Sequence, residues 1–337
     1  MRFRATCGFP GALLCVTVAA CQSTPTPVRV ERTVFLMGTV ATFVAEAPDR
    51  ETGVAQLERM VRVIEATEAE LSTWREDSVL SALNRQPVDT WLTLPESACA
   101  LLDQVATWHK ATAGAFDPAI GRLVEVWALR ESGRVPDADV VATARDRSGF
   151  QHVVLDFDRC AASRYADVSL DAGGFGKGAA LERVRRAEQD EPGAWLIDFG
   201  GQVAVSLRAT EEAWPVAIAH PELREIPLVE LRLDEGSLAT TGGSERDIII
   251  DADVRIGHII DPRTGATVSR PGSVTVWHRD ALAADILSTA LYVMDSDEAL
   301  RWANAHGIAA YFITADAVTG DIAYEATGTF TARFRVP

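Results

Sequence analysis

The stretch DAGGFGKGAALERV, residues 171–184, sets Lys177 among four glycines just ahead of a run with helical spacing. The chain holds only two lysines, Lys110 and Lys177, against thirty arginines, so a compact ammonium at this place is conspicuous. Glycines allow close backbone approach, and N–H groups at a helix start, backed by the helix dipole, are aimed at an anion. Lys177 adds a point charge to that cradle. The stretch is not a P-loop, because Gly178 follows Lys177 where Ser or Thr is required and Asp171 stands where the first glycine belongs. Taken alone it is either an anion-binding turn or a turn packed tightly against a helix.

Two further groups carry chemistry. In RDALAADILSTALYVM, Asp285, Ser288 and Thr289 fall at i, i+3 and i+4, on one face of a helix. A carboxylate with a hydroxyl is hard-oxygen chemistry suited to Mg²⁺, which keeps its other positions for water and phosphate. The same residues also suit a dipole-favoured aspartate with hydroxyls bonded back to the preceding turn. In GHIIDPRTGA, His258 precedes two isoleucines and an Asp-Pro turn. An imidazole there is a candidate general base, or a structural histidine at a strand end. Met37, Trp74 and the turn Ala115-Phe116-Asp117 offer apolar faces for a flat ring or for the core.

The elements that must position these groups follow from periodicity. Residues 30–47 alternate and predict a strand pair bent at Gly38. Val54, Leu57, Val61, Ile64 and Leu71 predict a helix over 52–71. A second helix runs from Pro95 to Gly114, and a third, shorter one spans 137–149. QHVVLDF and RYADVSLD predict β segments, the second feeding the glycines, with a charged helix over 179–190 beyond them. AWLIDFGGQVAVSL predicts strand, turn and strand, with more β to residue 260. Helices at 280–294 and 297–306 and a closing β pair, IAAYFITA and DIAYEATGTFTARF, end the chain. This is an α+β pattern: a single compact catalytic-sized unit of mixed, largely antiparallel sheets with packed helices.

The 337 residues suffice for an ample core, and the apolar (47%) and charged (24%) fractions are those of a globular protein. The start MRFR, the short apolar run after it and the ending VAAC predict a signal peptide over 1–20. VAAC resembles the lipobox of bacterial lipoproteins, in which the cysteine, here Cys21, is lipidated. Residues 21–30 then form a polar, Pro-containing tether, leaving a folded body over 31–337. Without the leader the balance is 30 basic against 48 acidic residues, a net −18, which argues against a nucleic-acid partner. Cys99 and Cys160 remain, and the sequence does not decide whether they pair.

Together these segments resemble the ApbE family, the FAD:protein FMN transferases. The matching runs are FLMGTVATF, LSTWREDSVLSALN, GAFDPAIGRLVEVW, VSLDAGGFGKGAA, LIDFGGQVAV, LATTGG, GHIIDPRTG and SVTVWHRDALAADILSTALYVM, in family order over residues 33–294. The resemblance implies an ApbE-like, T-fold-like architecture and FAD as substrate. It implies flavin-nucleotide contacts at Met37, Trp74, Ala115, Phe116, Asp117, Asp171, Lys177 and Ile260. It implies Mg²⁺ held by the Gly174 carbonyl, Asp285 and Thr289, with Ser288 a weaker third side chain, and His258 as base. The implied reaction moves FMN from FAD to a Thr or Ser hydroxyl of an acceptor protein, a membrane redox-complex subunit, and releases AMP. FAD hydrolysis to FMN and AMP, or FAD binding without chemistry, are the alternatives. The chain departs from the family at Phe175-Gly176, where Ile-Ala is common, and at Thr240-Thr241-Gly242, where Thr-Ser-Gly is common. Gly243 to Arg246 lack the aromatic that often follows.

An exported protein lipid-anchored on the extracytoplasmic side is the expectation from this leader. The variant Cys21→Ser is expected to leave the membrane fraction for the soluble one, as followed by immunoblotting of fractionated cells.

Overall fold

The computed structural model describes residues 26–208, 212–243, 247–251, 254–316 and 319–336, so the leader and Cys21 lie outside the described residues. Its framework is one sheet of eight strands. In chain order the strands are β1 (Val28–Leu36), β2 (Thr39–Ala47), β3 (Leu92–Thr93), β4 (Val153–Asp156), β5 (Ala161–Arg164), β6 (Ala194–Phe199), β7 (Gln202–Val205) and β8 (Trp214–Ala219). They continue with β9 (Pro227–Leu233), β10 (Gly236–Gly242), β11 (Ile248–Asp251), β12 (Val254–Ile256), β13 (Ile259–Ile260), β14 (Thr267–Val268), β15 (Gly272–His278), β16 (Ala309–Ala315) and β17 (Ile322–Ala326). The large sheet has the order β1-β2-β6-β7-β10-β15-β16-β17, and every neighbouring pair is antiparallel. Small sheets β3-β5-β4, β8-β9, β11-β12 and β13-β14 surround it. β1 begins at Val28, opposite Ala47, so the last residues of the expected tether are strand.

The helices are α1 (Arg50–Leu71), α2 (Val79–Arg85), α3 (Glu96–Ala111), α4 (Gly121–Val126), α5 (Ala138–Asp146), α6 (Gly176–Ala187), α7 (Ala281–Val293), α8 (Ser296–Ala305) and α9 (Gly328–Arg333). The strand period of two splits the core between the sheet's faces. Phe43 and Ala45 of β2 join Leu57, Met60 and Ile64 of α1 and Leu181 and Val184 of α6. Val44, between them, joins Trp214, Leu231, Tyr311, Phe330 and Phe334 on the opposite face. α7 is buried along almost its whole length and packs with α3, Phe116 and Phe175. Cys99 of α3 and Cys160 form a disulfide with a Cα–Cα separation of 5.5 Å, tying that helix to the β4–β5 hairpin.

Three expectations change. The segment 165–171 is not a strand. Its alternating residues find partners other than a ladder: Leu170 N–H donates to Asn84 Oδ1 (2.7 Å), Asn84 Nδ2 donates to Leu170 O (2.9 Å), and Asp171 N–H donates to Pro118 O (2.7 Å). The helix after the glycines starts at Gly176 and ends at Ala187, earlier than 179–190, because Gly176 N–H already bonds Ala172 O at 2.7 Å. The closing β pair stops at Ala326. Thr327 then caps α9, its hydroxyl accepting from Phe330 N–H, and Phe330 and Phe334 at i and i+4 face one side. Among the described residues no helix is long and apolar enough to cross a membrane.

Glu182 joins two helices that matter below. Its carboxylate accepts from Arg185 Nε (2.9 Å) and Arg186 Nε (2.9 Å) within α6, and from Ala281 N–H (3.3 Å) at the start of α7. Burial pushes this carboxyl up, but the Arg185 and Arg186 guanidiniums and the Ala281 N–H outweigh it and hold it below the ordinary value of 4.5. A depressed carboxyl contributes stability that is present above its unfolded value and lost as pH falls through the folded one. Glu182→Gln is therefore expected to cost about 2 kcal/mol near neutral pH. In urea titrations the gap from the parent should close as pH drops below 4.5.

Candidate active site

The helices α6 and α7 cross at Gly178. A Cβ on Gly178 would stand 2.6 Å from Ala281 O, 2.6 Å from Asp285 Cβ and 2.9 Å from Leu282 Cα, so only glycine fits. The closeness has a polar result: Gly178 N–H donates to Asp285 Oδ2 at 2.8 Å. Lys177 Nζ lies 3.5 Å from Asp285 Oδ1. The bare start of α6 thus holds an anion, and within this chain that anion is a carboxylate delivered by α7.

Asp285 is buried, with Asp280 capping its helix by accepting from Ala283 N–H at 3.0 Å. Every residue of α7 is buried except Thr289, so the helix meets its surroundings at one point, a turn beyond Asp285. Gly174 sits there too. A Cβ on it would be 3.4 Å from Phe116 Cε2 and 3.6 Å from Thr289 Cγ2. Phe116 meets Phe175 edge-on at 6.4 Å, which fixes the turn 172–175 against the core. Met37, held at φ +47° in the β1–β2 turn, puts its Cε 3.3 Å from where a Gly176 Cβ would be. An alanine here would crowd that methyl by only a few tenths of an ångström, so space alone does not require the glycine.

Ser288 is excluded from this opening. Its Oγ bonds Thr241 Oγ1 at 2.8 Å and donates to Asp285 O at 3.0 Å, and it is fully buried. Asp171 closes the other side: its carboxylate accepts from Gly173 N–H at 2.7 Å and from Arg130 Nη2. Arg130 lies 5.4 Å from the Trp74 ring centroid, and Trp74 is 72% exposed. Met37, Trp74, Phe116, Asp171, Gly174, Lys177, Asp285 and Thr289 are therefore linked by successive contacts. Arg130 joins them without a sequence signal, as one of thirty arginines.

Ala115, Asp117 and Ile260 are placed differently. Ala115 is buried with Phe116 in the core. Asp117 accepts from Ala119 N–H (2.7 Å) and Phe150 N–H (3.0 Å), so its carboxylate shapes the turn. Burial pushes that carboxyl up, opposed by the nearby His109. Asp117 also lines a cavity of about 670 Å³ with His109, His152 and Arg263. Ile260 packs on Leu123 and Ala144.

His258 is reached through a residue that sequence reasoning missed. Its Nδ1 is 3.1 Å from Asp247 Oδ1, and its backbone N–H donates to the same oxygen at 3.2 Å. Asp247 Oδ2 accepts from Arg255 Nε at 2.8 Å. A Gly243 Cβ would stand 3.0 Å from Tyr292 Oη and 3.3 Å from Asp247 Oδ2, so the missing side chain lets the Asp247–His258 pair lie beside Tyr292 of α7, three residues past Thr289. Burial raises the Tyr292 hydroxyl to about 12, and it donates to Arg270 O at 3.0 Å. Ile259, next to His258, packs on the same cluster as Phe116, Phe175 and Ile286. Nothing in the alternation around Asp247 marks it out.

Residues 37–312 match the model described as the ApbE family. The chain is similar to the FAD:protein FMN transferase of Klebsiella pneumoniae (strain 342), 29% identical over 321 residues that cover 90% of this chain and 92% of that protein. It is similar to that of Treponema pallidum (strain Nichols), 28% identical over 330 residues and 91% of each. The crystal structure of the ApbE protein from Thermotoga maritima matches with a TM-score of 0.83 at 27% identity, over 91% of this chain and 99% of that one. The apo form of Pseudomonas stutzeri flavinyl transferase ApbE shares the fold, with a TM-score of 0.80 at 24% identity over 92% and 98%.

Two glycine substitutions separate space from conformation. Gly178→Ala forces α6 off α7 and is expected to cost about 1–3 kcal/mol. Gly176→Ala displaces only the end of the flexible Met37 side chain and should stay within about 1 kcal/mol of the parent, since alanine favours the helix. Thermal unfolding of the two variants side by side checks the contrast.

Proposed function

This chain belongs to the ApbE family, and on that footing we propose that it is an FAD:protein FMN transferase that acts with Mg²⁺ on a Thr or Ser hydroxyl of an acceptor protein and releases AMP. The observation that carries the reading is the buried Asp285 carboxylate. It is held by Gly178 N–H and a distant Lys177 ammonium, one turn from the only residue of α7 that is not buried.

A carboxylate has about four lone-pair sites, and the described partners engage Asp285 with one N–H and one ammonium at 3.5 Å. That leaves acceptor capacity beside the Thr289 hydroxyl and the Gly174 backbone, an all-oxygen donor set that suits Mg²⁺. Asp285, Thr289 and the Gly174 carbonyl would hold the ion, which supplies charge neutralisation for the pyrophosphate and the departing phosphate. Lys177 adds its ammonium to the same phosphates. Asp171, anchored by Arg130 and Gly173 N–H, positions the nucleotide, with Met37, Trp74, Ala115, Phe116, Asp117 and Ile260 about it.

His258 takes the proton from the acceptor hydroxyl as that oxygen bonds to the FMN phosphorus. The bond from this phosphorus to the bridging oxygen breaks, and the oxygen leaves with AMP. The balance is one phosphoester formed on the acceptor and one phosphoanhydride bond broken. The acceptor we assign is a subunit of a membrane redox complex, met on the extracytoplasmic side by an enzyme lipid-anchored through Cys21. The Cys99–Cys160 disulfide supports an oxidising compartment.

The test mixes the full chain in detergent with FAD, Mg²⁺ and a threonine-bearing acceptor, and follows AMP release with in-gel flavin fluorescence of the denatured acceptor. AMP with covalent fluorescence is expected. AMP and free FMN without labelling, across a panel of acceptors, would mark a FAD diphosphatase, and bound FAD with neither product a binding protein. Asp285→Ala should lower turnover on the order of 10²–10³-fold. His258→Ala should lower transfer on the order of 10²–10⁴-fold while FAD binding is largely kept.

A further inference from the structure

We propose that Asp247 is the positioning residue of the base: it fixes His258 in the tautomer that carries its proton on Nδ1 and leaves the Nε2 lone pair for the acceptor hydroxyl. The inference rests on the transferase reading for the identity of the proton donor, but its geometric core does not.

The Asp247 carboxyl is almost fully buried while the His258 ring keeps an exposed portion (4% against 20%). One carboxylate oxygen faces the histidine twice, receiving its backbone N–H at 3.2 Å and lying 3.1 Å from Nδ1. The other receives Arg255 Nε at 2.8 Å. An ionised carboxylate only accepts, so the nitrogen facing it must carry the hydrogen. The opposite ring nitrogen then presents its lone pair, which is the form a general base requires.

The support reaches outward in steps. Arg255 also donates to Gly243 O at 3.3 Å and lies 3.8 Å from Glu222. The Tyr292 hydroxyl also borders Gly243 but donates to Arg270 O, so it does not compete for the carboxylate. A structural aspartate would need only the backbone N–H. Here the same oxygen also reads the ring, in the arrangement by which a carboxylate orients a catalytic imidazole.

Asp247→Asn keeps the shape and removes the charge. It brings a two-hydrogen donor into a place that needs acceptors on both sides, so the Nδ1–H tautomer loses its hold and the Nε2–H form, without a lone pair on the ring nitrogen away from Asp247, becomes populated. The expected result is a fall in kcat on the order of 10²–10⁴-fold with KM for FAD within about twofold. Asp247→Glu, which returns a carboxylate, should recover part of the loss. The decisive readout is independent of activity: ¹⁵N–¹H spectra of the histidine side chains in the full chain, with His258 assigned by its disappearance in His258→Gln. A protonated Nδ1 in the parent that shifts to Nε2 in Asp247→Asn supports the proposal. An Nε2–H form in the parent, or an unchanged spectrum and unchanged kcat in Asp247→Asn, overturns it. Failure of the parent to release AMP or label an acceptor would overturn the transferase reading instead, and the spectra would still decide the tautomer.

Discussion

One carboxylate held at a helix crossing governs the rest of the site. Asp285 is carried into the core by a helix with almost no polar surface, where an unpaired charge is costly. It is tolerated because Gly178 lacks a side chain, which lets the start of α6 come within hydrogen-bond reach. Other features serve that crossing. Glu182 ties Ala281 N–H to α6, Asp280 caps α7, and Phe175 and Phe116 pack the turn that precedes the glycines. The lone lysine of the stretch then lies beside a charge already stabilised by the backbone.

The two polar centres are built on different principles. Around Asp285 the donors come from helices locked in the core, with a fixed geometry. Around His258 they come from short strands and turns, and order is supplied by a chain of charged hydrogen bonds from Arg255 through Asp247 to the ring. In the roles proposed for them, a charge-neutralising group needs constant placement, and a base needs the correct ring hydrogen as well as its reach. Gly243 lets these two regimes meet, since a side chain there would separate Asp247 from Tyr292.

Much of this was legible in the sequence. Asp285 and Thr289 share a helix face at i and i+4, and the long helices and the β1–β2 and β6–β7 hairpins are where their periods put them. Residues 165–171 misled because alternation reports a half-buried extended chain but not its partners, and here Asn84 and Pro118 O replace a neighbouring strand. The start of α6 was misplaced because glycine is a poor helix former, and packing against α7 overrides that preference. Residues 328–334 carry Phe330 and Phe334 at a spacing that serves either period. Asp247 had no pattern to reveal it, because its meaning lies in a contact with a residue eleven positions on. Ser288 was an acceptable ligand by spacing and is removed only by its bond to Thr241, on a distant strand.

The order of strands in the large sheet carries a consequence for how the protein comes into being. β1 and β2 form a hairpin at once, but the next neighbour, β6, is not made until α1 to α6 have been synthesised. The sheet then grows outward to β17, nearly the last element of the chain. Pairings so distant in sequence close slowly, so the nascent polypeptide stays without its final architecture while most of it is still being made. Lys177 and Gly178 precede the middle of the sheet, and Asp285 and Thr289 come only with α7. A chain caught midway in synthesis would possess Lys177 and Gly178 without the carboxylate they hold, and none of the His258 centre.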